Sequence, residues 1–162
     1  LAEAAKGFSW GFRGQGTSVG FGAAIGYDAG SYVAECVELA VEGPEVKVQR
    51  VVAAFDCGLV TDPDGARNQV EGSIMMGIGT ALWEAVEFDG GRVLNATFSR
   101  YRVPRSTDTP EIEVMLVGDP GTPSTGAGEP AIVPIAAAID NAVYDATKTR
   151  IRELPIVPRL PK

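Results

Sequence analysis

The chain holds 162 residues, 45% of them hydrophobic, enough to bury roughly 70% of the unfolded chain's surface in one or two packed layers. Its formal charge is −7 with no histidine, which leaves neither a phosphate-tracking surface nor a basic membrane patch and argues against nucleic acid as a partner. No apolar run approaches the roughly 18 to 20 residues a bilayer requires, and no basic-then-apolar signal stands at the start.

The opening residues Leu1–Lys6 read as the end of a helix whose beginning is absent, so the chain is expected to be a fragment, with residues 1–16 a helix remnant and a Gly-rich loop from Gly7 to Gly16. Residues 18–26 and 30–42 are rich in Val, Tyr and Ala with partial alternation, and both are predicted strands. A turn at Glu42-Gly43-Pro44-Glu45 then leads into a β-branched run from Val46 to Phe55, predicting a hairpin. Cys36 and Cys57 each lie in apolar runs and read as small buried hydrophobes of a reducing compartment. The cytoplasm is the expected location, and the periplasm stays open because the true N-terminus is expected to lie upstream.

Asp62-Pro63-Asp64 announces the first long helix: Asp62 can cap, Pro63 suits the first helical position, and acids favour the positive end of the dipole. It should run to about Trp83. Ala66, Val70, Ile74, Ile78 and Leu82 recur every four residues as a core stripe, while Gln69, Gly72, Met76, Gly79 and Thr80 share another face. Glycine inside a helix costs about 1 kcal/mol against alanine, so Gly72, Gly77 and Gly79 require close packing by another backbone or close approach of a ligand.

Asp89-Gly90-Gly91 predicts a tight turn between strands at 84–88 and 92–98, followed by a polar connecting loop over 99–110. Glu111–Val117 alternates as a strand, and Gly118 to Gly128 cannot be regular structure. A second helix starting within a turn of Pro134 places Ile132, Ile135, Ile139, Ala142, Val143 and Ala146 on one face, with Asp140, Asn141, Asp145 and Lys148 on the other. Ile151–Val157 is a predicted last strand and 158–162 a frayed tail. The expected fold is a single α+β domain over 1–162, a two-layer mixed sheet packed by two main helices.

Without histidine a Ser-His-Asp set is impossible, Cys57 lacks an activating partner, and Asp56, Asp62 and Asp64 have no calcium-loop spacing. Glu129 has the attributes of a catalyst: it ends a Gly-Ala-Gly loop before an apolar helix and could act as a proton acceptor held in a cleft. A simple helix-start acid is the competing reading. Gln69 carries donors and an acceptor for a polar ligand across the Gly72 face, or is an ordinary solvent-facing helix residue. Gly126, Ala127 and Gly128 form either an amide-presenting loop or a plain connector.

Four runs taken together resemble the C-terminal part of molybdenum hydroxylase large subunits, the xanthine oxidase family. They are Asp56-Cys57-Gly58 through Asp62-Pro63-Asp64, Gln69-Val70-Glu71-Gly72 through Gly79, Ser99-Arg100-Tyr101-Arg102-Val103-Pro104, and Gly126-Ala127-Gly128-Glu129-Pro130. The order and spacing are most similar to the aldehyde and isoquinoline 1-oxidoreductase branch, over roughly residues 30 to 157. The resemblance implies that Glu129 is the base in hydroxylation of an aldehyde or N-heterocyclic carbon with water as oxygen source. It further implies that Gln69, with Gly72 beside it, approaches a molybdopterin cofactor, expected as the cytosine dinucleotide form with molybdenum, and that Gly126, Ala127 and Gly128 line the metal site. Met76 departs from the family pattern, in which many relatives carry glutamine. The implied partners are the remainder of the large subunit and an iron–sulfur, optionally FAD-bearing, domain or subunit, so the isolated chain is expected neither to hold the cofactor firmly nor to turn over. A structural or assembly module that kept the fold without the chemistry is the alternative, with a small-ligand binder using the Gly72 face as a third.

Overall fold

The computed structural model describes residues 1–12 and 18–158. A short helix α1 (Ala2–Gly7) and a turn of 3-10 helix (Trp10–Phe12) lead to β1 (Val19–Asp28), β2 (Ser31–Glu42) and β3 (Glu45–Asp56). Helix α2 (Pro63–Leu82), a small ribbon of β4 (Phe88–Asp89) and β5 (Arg92–Val93), strand β6 (Glu111–Leu116) and helix α3 (Ile132–Thr147) follow. The main sheet has the order β1-β2-β3-β6, antiparallel except for the β3–β6 pair. That parallel pair requires a long crossover, which α2 and the ribbon provide. The expected two-layer α+β architecture is what forms, with α1 additionally covering part of the second sheet face through Phe8, Phe21, Cys36 and Val52. Of the expected loop over 7–16, Gly7 ends α1, Phe8 and Ser9 turn into the 3-10 helix, and 13–16 lie outside the described residues, as do positions 159–162 of the tail.

The core lies between the sheet and the helix pair α2 and α3. Val33, Val37, Leu39 and Val41 of β2 face the helices by simple alternation. On β3 the inward residues are Val46 and Val48, then Val51, Ala53 and Phe55, a change of parity that would turn half the strand outward. The register shift opposite Glu38 and Leu39 inserts one extra residue in β3 and keeps both sets on the core face.

Helix α2 begins as its sequence dictates. The Asp62 side chain accepts from the Gly65 amide at 3.0 Å and Pro63 takes the first position. The stripe Ala66, Val70, Ile74, Ile78 and Leu82 is buried throughout. Helix α3 lies so close on β1 that a Cβ at Gly22 would overlap the Ala138 carbonyl and the Ala142 amide.

Two expectations are corrected. Residues 151–157 form no strand: Pro155 and Pro158 withhold donors, and the segment instead docks on α2, with buried Ile156 donating its amide to the Ala81 carbonyl at 2.7 Å. The strands at 84–88 and 92–98 shrink to two residues each, because the ribbon is exposed on both faces and has nothing to pack on. Asn95 ties its base instead, donating to the Ala85 carbonyl at 2.7 Å and accepting from the Glu87 amide at 3.0 Å. The polar face of α3, placed as expected, makes contacts of its own. Asn141 donates to the Ala23 carbonyl at 3.0 Å and Asp145 accepts from the Phe21 amide at 3.1 Å, so this face blunts the open edge of β1. Asp140 meanwhile holds Arg150 at 2.7 Å and the Ile151 amide at 3.2 Å.

Glu35 is a buried acid that the alternation of β2 points into the core. It pairs with Ala24 and Ala53, is 0% exposed, and neither carboxyl oxygen has a hydrogen-bond partner. Burial pushes its pKa well up. The unfolded carboxyl loses its proton at about pH 4.3 while the folded one retains it, so above that pH the unfolded chain binds fewer protons and stability falls as pH rises toward the raised folded value. Replacing Glu35 by Met is expected to stabilise the domain by about 1–3 kcal/mol at neutral pH, the usual cost of an unsatisfied buried polar group. Denaturant titrations at pH 5 and pH 8 check this: the loss between the two should be smaller in the variant than in the native chain.

Candidate cofactor face

The open side of α2 and the loop after β6 meet at one surface. The Ser73 hydroxyl donates to the Gly128 carbonyl at 2.6 Å, and a Cβ at Gly128 would meet Gln69 Oε1 at 4.0 Å and nothing nearer. The structure thus brings Gln69 and Gly128 together, with Gly72 one residue before the Ser73 anchor and Glu129 one residue beyond Gly128. Gln69, Gly72, Gly128 and Glu129 are all exposed, and Gly126 and Ala127 half-buried.

The three helix glycines separate into two kinds. A Cβ at Gly77 would strike Ile135 of α3, and one at Gly79 would strike Glu84 and Pro104, so both serve packing and Gly79 leaves the small-residue face assigned to it. Around Gly72 there is nothing within 4 Å. Its backbone lies open in mid-helix at the usual cost of about 1 kcal/mol and no neighbour among the described residues accounts for it. Gly72 and Gly128 therefore leave backbone open on either side of the Gln69 amide, where a planar, polar ligand could approach. Met76, 61% exposed, continues the same face toward the helix C-terminus.

Glu129 is exposed and lines no part of a cavity of about 470 Å³ at the other end of α2, which is walled by residues that include Val48, Ile78, Trp83, Arg102 and Ile156. Nor is it a helix-start acid. Helix α3 begins at Ile132 with Ala131 as its cap residue, no side-chain cap and no acid in its first turn. The Glu129 carbonyl accepts from the Ile132 amide at 2.9 Å, which fixes the backbone and leaves the carboxylate uncommitted to the cap.

The glycine loop is anchored at many points. Leu59 donates to the Thr122 carbonyl at 3.0 Å, the Thr125 amide to Cys57 at 2.9 Å, and the Gly126 amide to Ala29 at 3.1 Å. Ser31, fully buried at the start of β2, binds the Thr125 hydroxyl at 2.8 Å and donates to the Gly126 carbonyl. Ser31 and Ser73 went unrecognised in the sequence. The available signal was a small hydroxyl residue at two places, just after a Gly turn and beside the α2 core stripe, next to Ile74. Cys57, also at this junction, is a buried thiol whose pKa burial raises, with Asp56 adding to the effect. Among the described residues no group of three or more His, Cys, Asp or Glu is placed to hold a metal ion, and no helix is long and apolar enough to cross a membrane.

Residues 5–110 match the molybdopterin cofactor-binding domain family, a stretch that includes Gln69 and Gly72 and stops short of Glu129. The chain is 40% identical over 112 residues to one component of the nicotinate dehydrogenase of Pseudomonas putida, covering 69% of this chain and 9% of that protein. It is 36% identical over 139 residues to the molybdenum-binding component of the aldehyde oxidoreductase of Escherichia coli, covering 80% of this chain and 19% of the relative. The chain thus spans less than a fifth of the length of either. Among solved structures it is similar to the aldehyde oxidoreductase from Desulfovibrio gigas, with a TM-score of 0.69 at 27% identity over 78% of this chain and 14% of that one. By sequence and by fold, the chain belongs to the molybdopterin-binding domains of the molybdenum hydroxylases, a family of molybdenum-dependent oxidoreductases.

Proposed function

We propose that this domain presents Glu129 as the catalytic base, and the Gln69–Gly72 face as a cofactor wall, in an enzyme that hydroxylates an aldehyde or N-heterocyclic carbon with oxygen from water. The observation that carries this reading is the pairing of an uncommitted carboxylate with two open glycines, neither of which the packing among the described residues requires. Relatives named for nicotinate, an N-heterocycle, and for aldehydes support the two substrate classes.

The cofactor, when bound, supplies the two-electron redox chemistry and the activation of water. Everything else falls to side chains and backbone of the protein. Gln69 offers an amide that both donates and accepts, Gly72 and Gly128 allow the cofactor edge to approach the backbone, and the Gly126–Gly128 loop carries the base. Glu129 accepts the proton of the attacking water at its carboxylate and gives it up again before the next cycle. The cofactor is proposed to be the cytosine dinucleotide form, as the family resemblance implies. The wall of the site opposite Glu129 is proposed to come from the remainder of a larger subunit, with electrons leaving through an iron–sulfur, optionally FAD-bearing, partner. Two buried thiols favour a cytoplasmic setting.

Gly72→Leu tests the cofactor face. With nothing within 4 Å of its Cβ, leucine there should leave the melting temperature of the domain unchanged or higher. In the full-length subunit, molybdenum and pterin content should fall on the order of tenfold, about 1.4 kcal/mol of lost binding. Full cofactor content in that variant would reject the face. The 162-residue chain alone is expected to retain no stoichiometric molybdenum and to show no turnover.

A further inference from the structure

We propose that Ser31 and Ser73 are positioning residues for Glu129, fixing from two sides the backbone from which its carboxylate departs. The inference deepens the functional reading above and rests on it. Ser31, Glu35, Ser73 and Asn95 are the buried polar or charged residues among those described, and two of the four direct their hydroxyls at the same loop. Burying a hydroxyl is unfavourable unless its hydrogen bonds are made, so each serine both needs the loop and holds it in place.

The pattern of bonds is specific. Ser31 has one hydroxyl proton. Given to the Gly126 carbonyl, it leaves the oxygen to accept from Thr125, and the group is satisfied on both sides. Ser73 points its proton out of α2 to Gly128 rather than back along the helix. With Thr125 and Gly126 held through their amides and the Glu129 carbonyl taken by Ile132, the chain is fastened at 125, 126, 128 and 129. The two serines come from different elements, the start of β2 and the middle of α2, so they lock the loop to the sheet and to the cofactor face at once. Displacement of a catalytic group by about 1 Å can cost on the order of 100-fold in rate, which makes such fastening consequential.

The test uses the full-length, cofactor-loaded enzyme with Ser31→Ala, Ser73→Ala and Ser73→Thr, each also combined with Glu129→Gln. Ser73→Ala is expected to lower kcat about tenfold with KM and molybdenum content unchanged, and to speed amide exchange of the segment 122–130. Threonine at 73 keeps the hydroxyl and should restore both. In the Glu129→Gln background neither alanine should lower kcat further, because a positioning group has nothing left to position. Ser31→Ala should repeat the pattern; if it does not fold, the Ser73 set decides alone. Unchanged exchange in 122–130, or full additivity with Glu129→Gln, would overturn the positioning role. Full activity of Glu129→Gln itself would instead reject the base assignment, a result visible independently of the serines.

Discussion

Glu129→Gln in the full-length, cofactor-loaded enzyme is expected to lower kcat by about 10²- to 10⁴-fold, the range in which a general base contributes. The amide keeps the size and shape of the carboxylate and removes only its capacity to take a proton. Because Glu129 is exposed and does not cap α3, the change should leave stability within about 0.5 kcal/mol and cofactor content intact. That combination distinguishes a catalytic residue from a structural one: chemistry is lost while folding and loading persist. Steady-state kinetics with an aldehyde and with an N-heterocycle, alongside molybdenum analysis and thermal melts, provide the measurement. An undiminished kcat on both substrate classes would favour the scaffold reading, in which the fold survives without its chemistry.

The parts of this fold legible in the sequence are those set by local rules. Asp62-Pro63 and the four-residue repeat from Ala66 to Leu82 locate α2 because capping, proline geometry and burial of one stripe act within a few residues. Alternation likewise locates β2 and β6. What escaped depends on contacts distant in sequence. The extra residue in β3 is invisible until the strand is paired with β2, since the valines on both sides of it look equally apolar. The partners of Asn141 and Asp145 lie on a strand more than a hundred residues earlier, which no local pattern marks. Ile151–Val157 has the composition of a strand but finds the end of α2 rather than a sheet edge.

The same division runs through the site. The Gly126–Glu129 motif singled out the candidate residues, while the anchoring that makes this a fixed loop comes from Ser31, Ser73, Ala29 and Cys57 on three separate segments. The exposure of Glu129 also has a physical reason. The loop is held from the start of β2 by Ser31 and from the middle of α2 by Ser73, and these bonds end at Gly128, one residue short of the exposed Glu129.

Alanine placed at two glycines, Gly22 and Gly72, should move stability in opposite directions. At Gly22 the new methyl would overlap the backbone of α3 at Ala138 and Ala142, and neither strand nor helix can yield without opening the core at Val37 and Ile139. The expected loss is about 3 kcal/mol, the upper end for overpacking, or a fall in Tm of roughly 6–12 °C for a domain of this size. At Gly72 the methyl meets nothing, so the helix gains up to about 1 kcal/mol and Tm rises by roughly 2–4 °C. Thermal melts of the two variants against the native domain give the comparison directly. A neutral Gly22→Ala would mean that α3 does not rest on β1 as closely as described, and a destabilised Gly72→Ala would mean that the open face is closed by the chain itself. The opposite signs matter for function because a protein selected for stability alone would not leave a mid-helix glycine exposed where alanine is better. Stability is given up at Gly72 and not at Gly22, which is the pattern the proposed cofactor face requires.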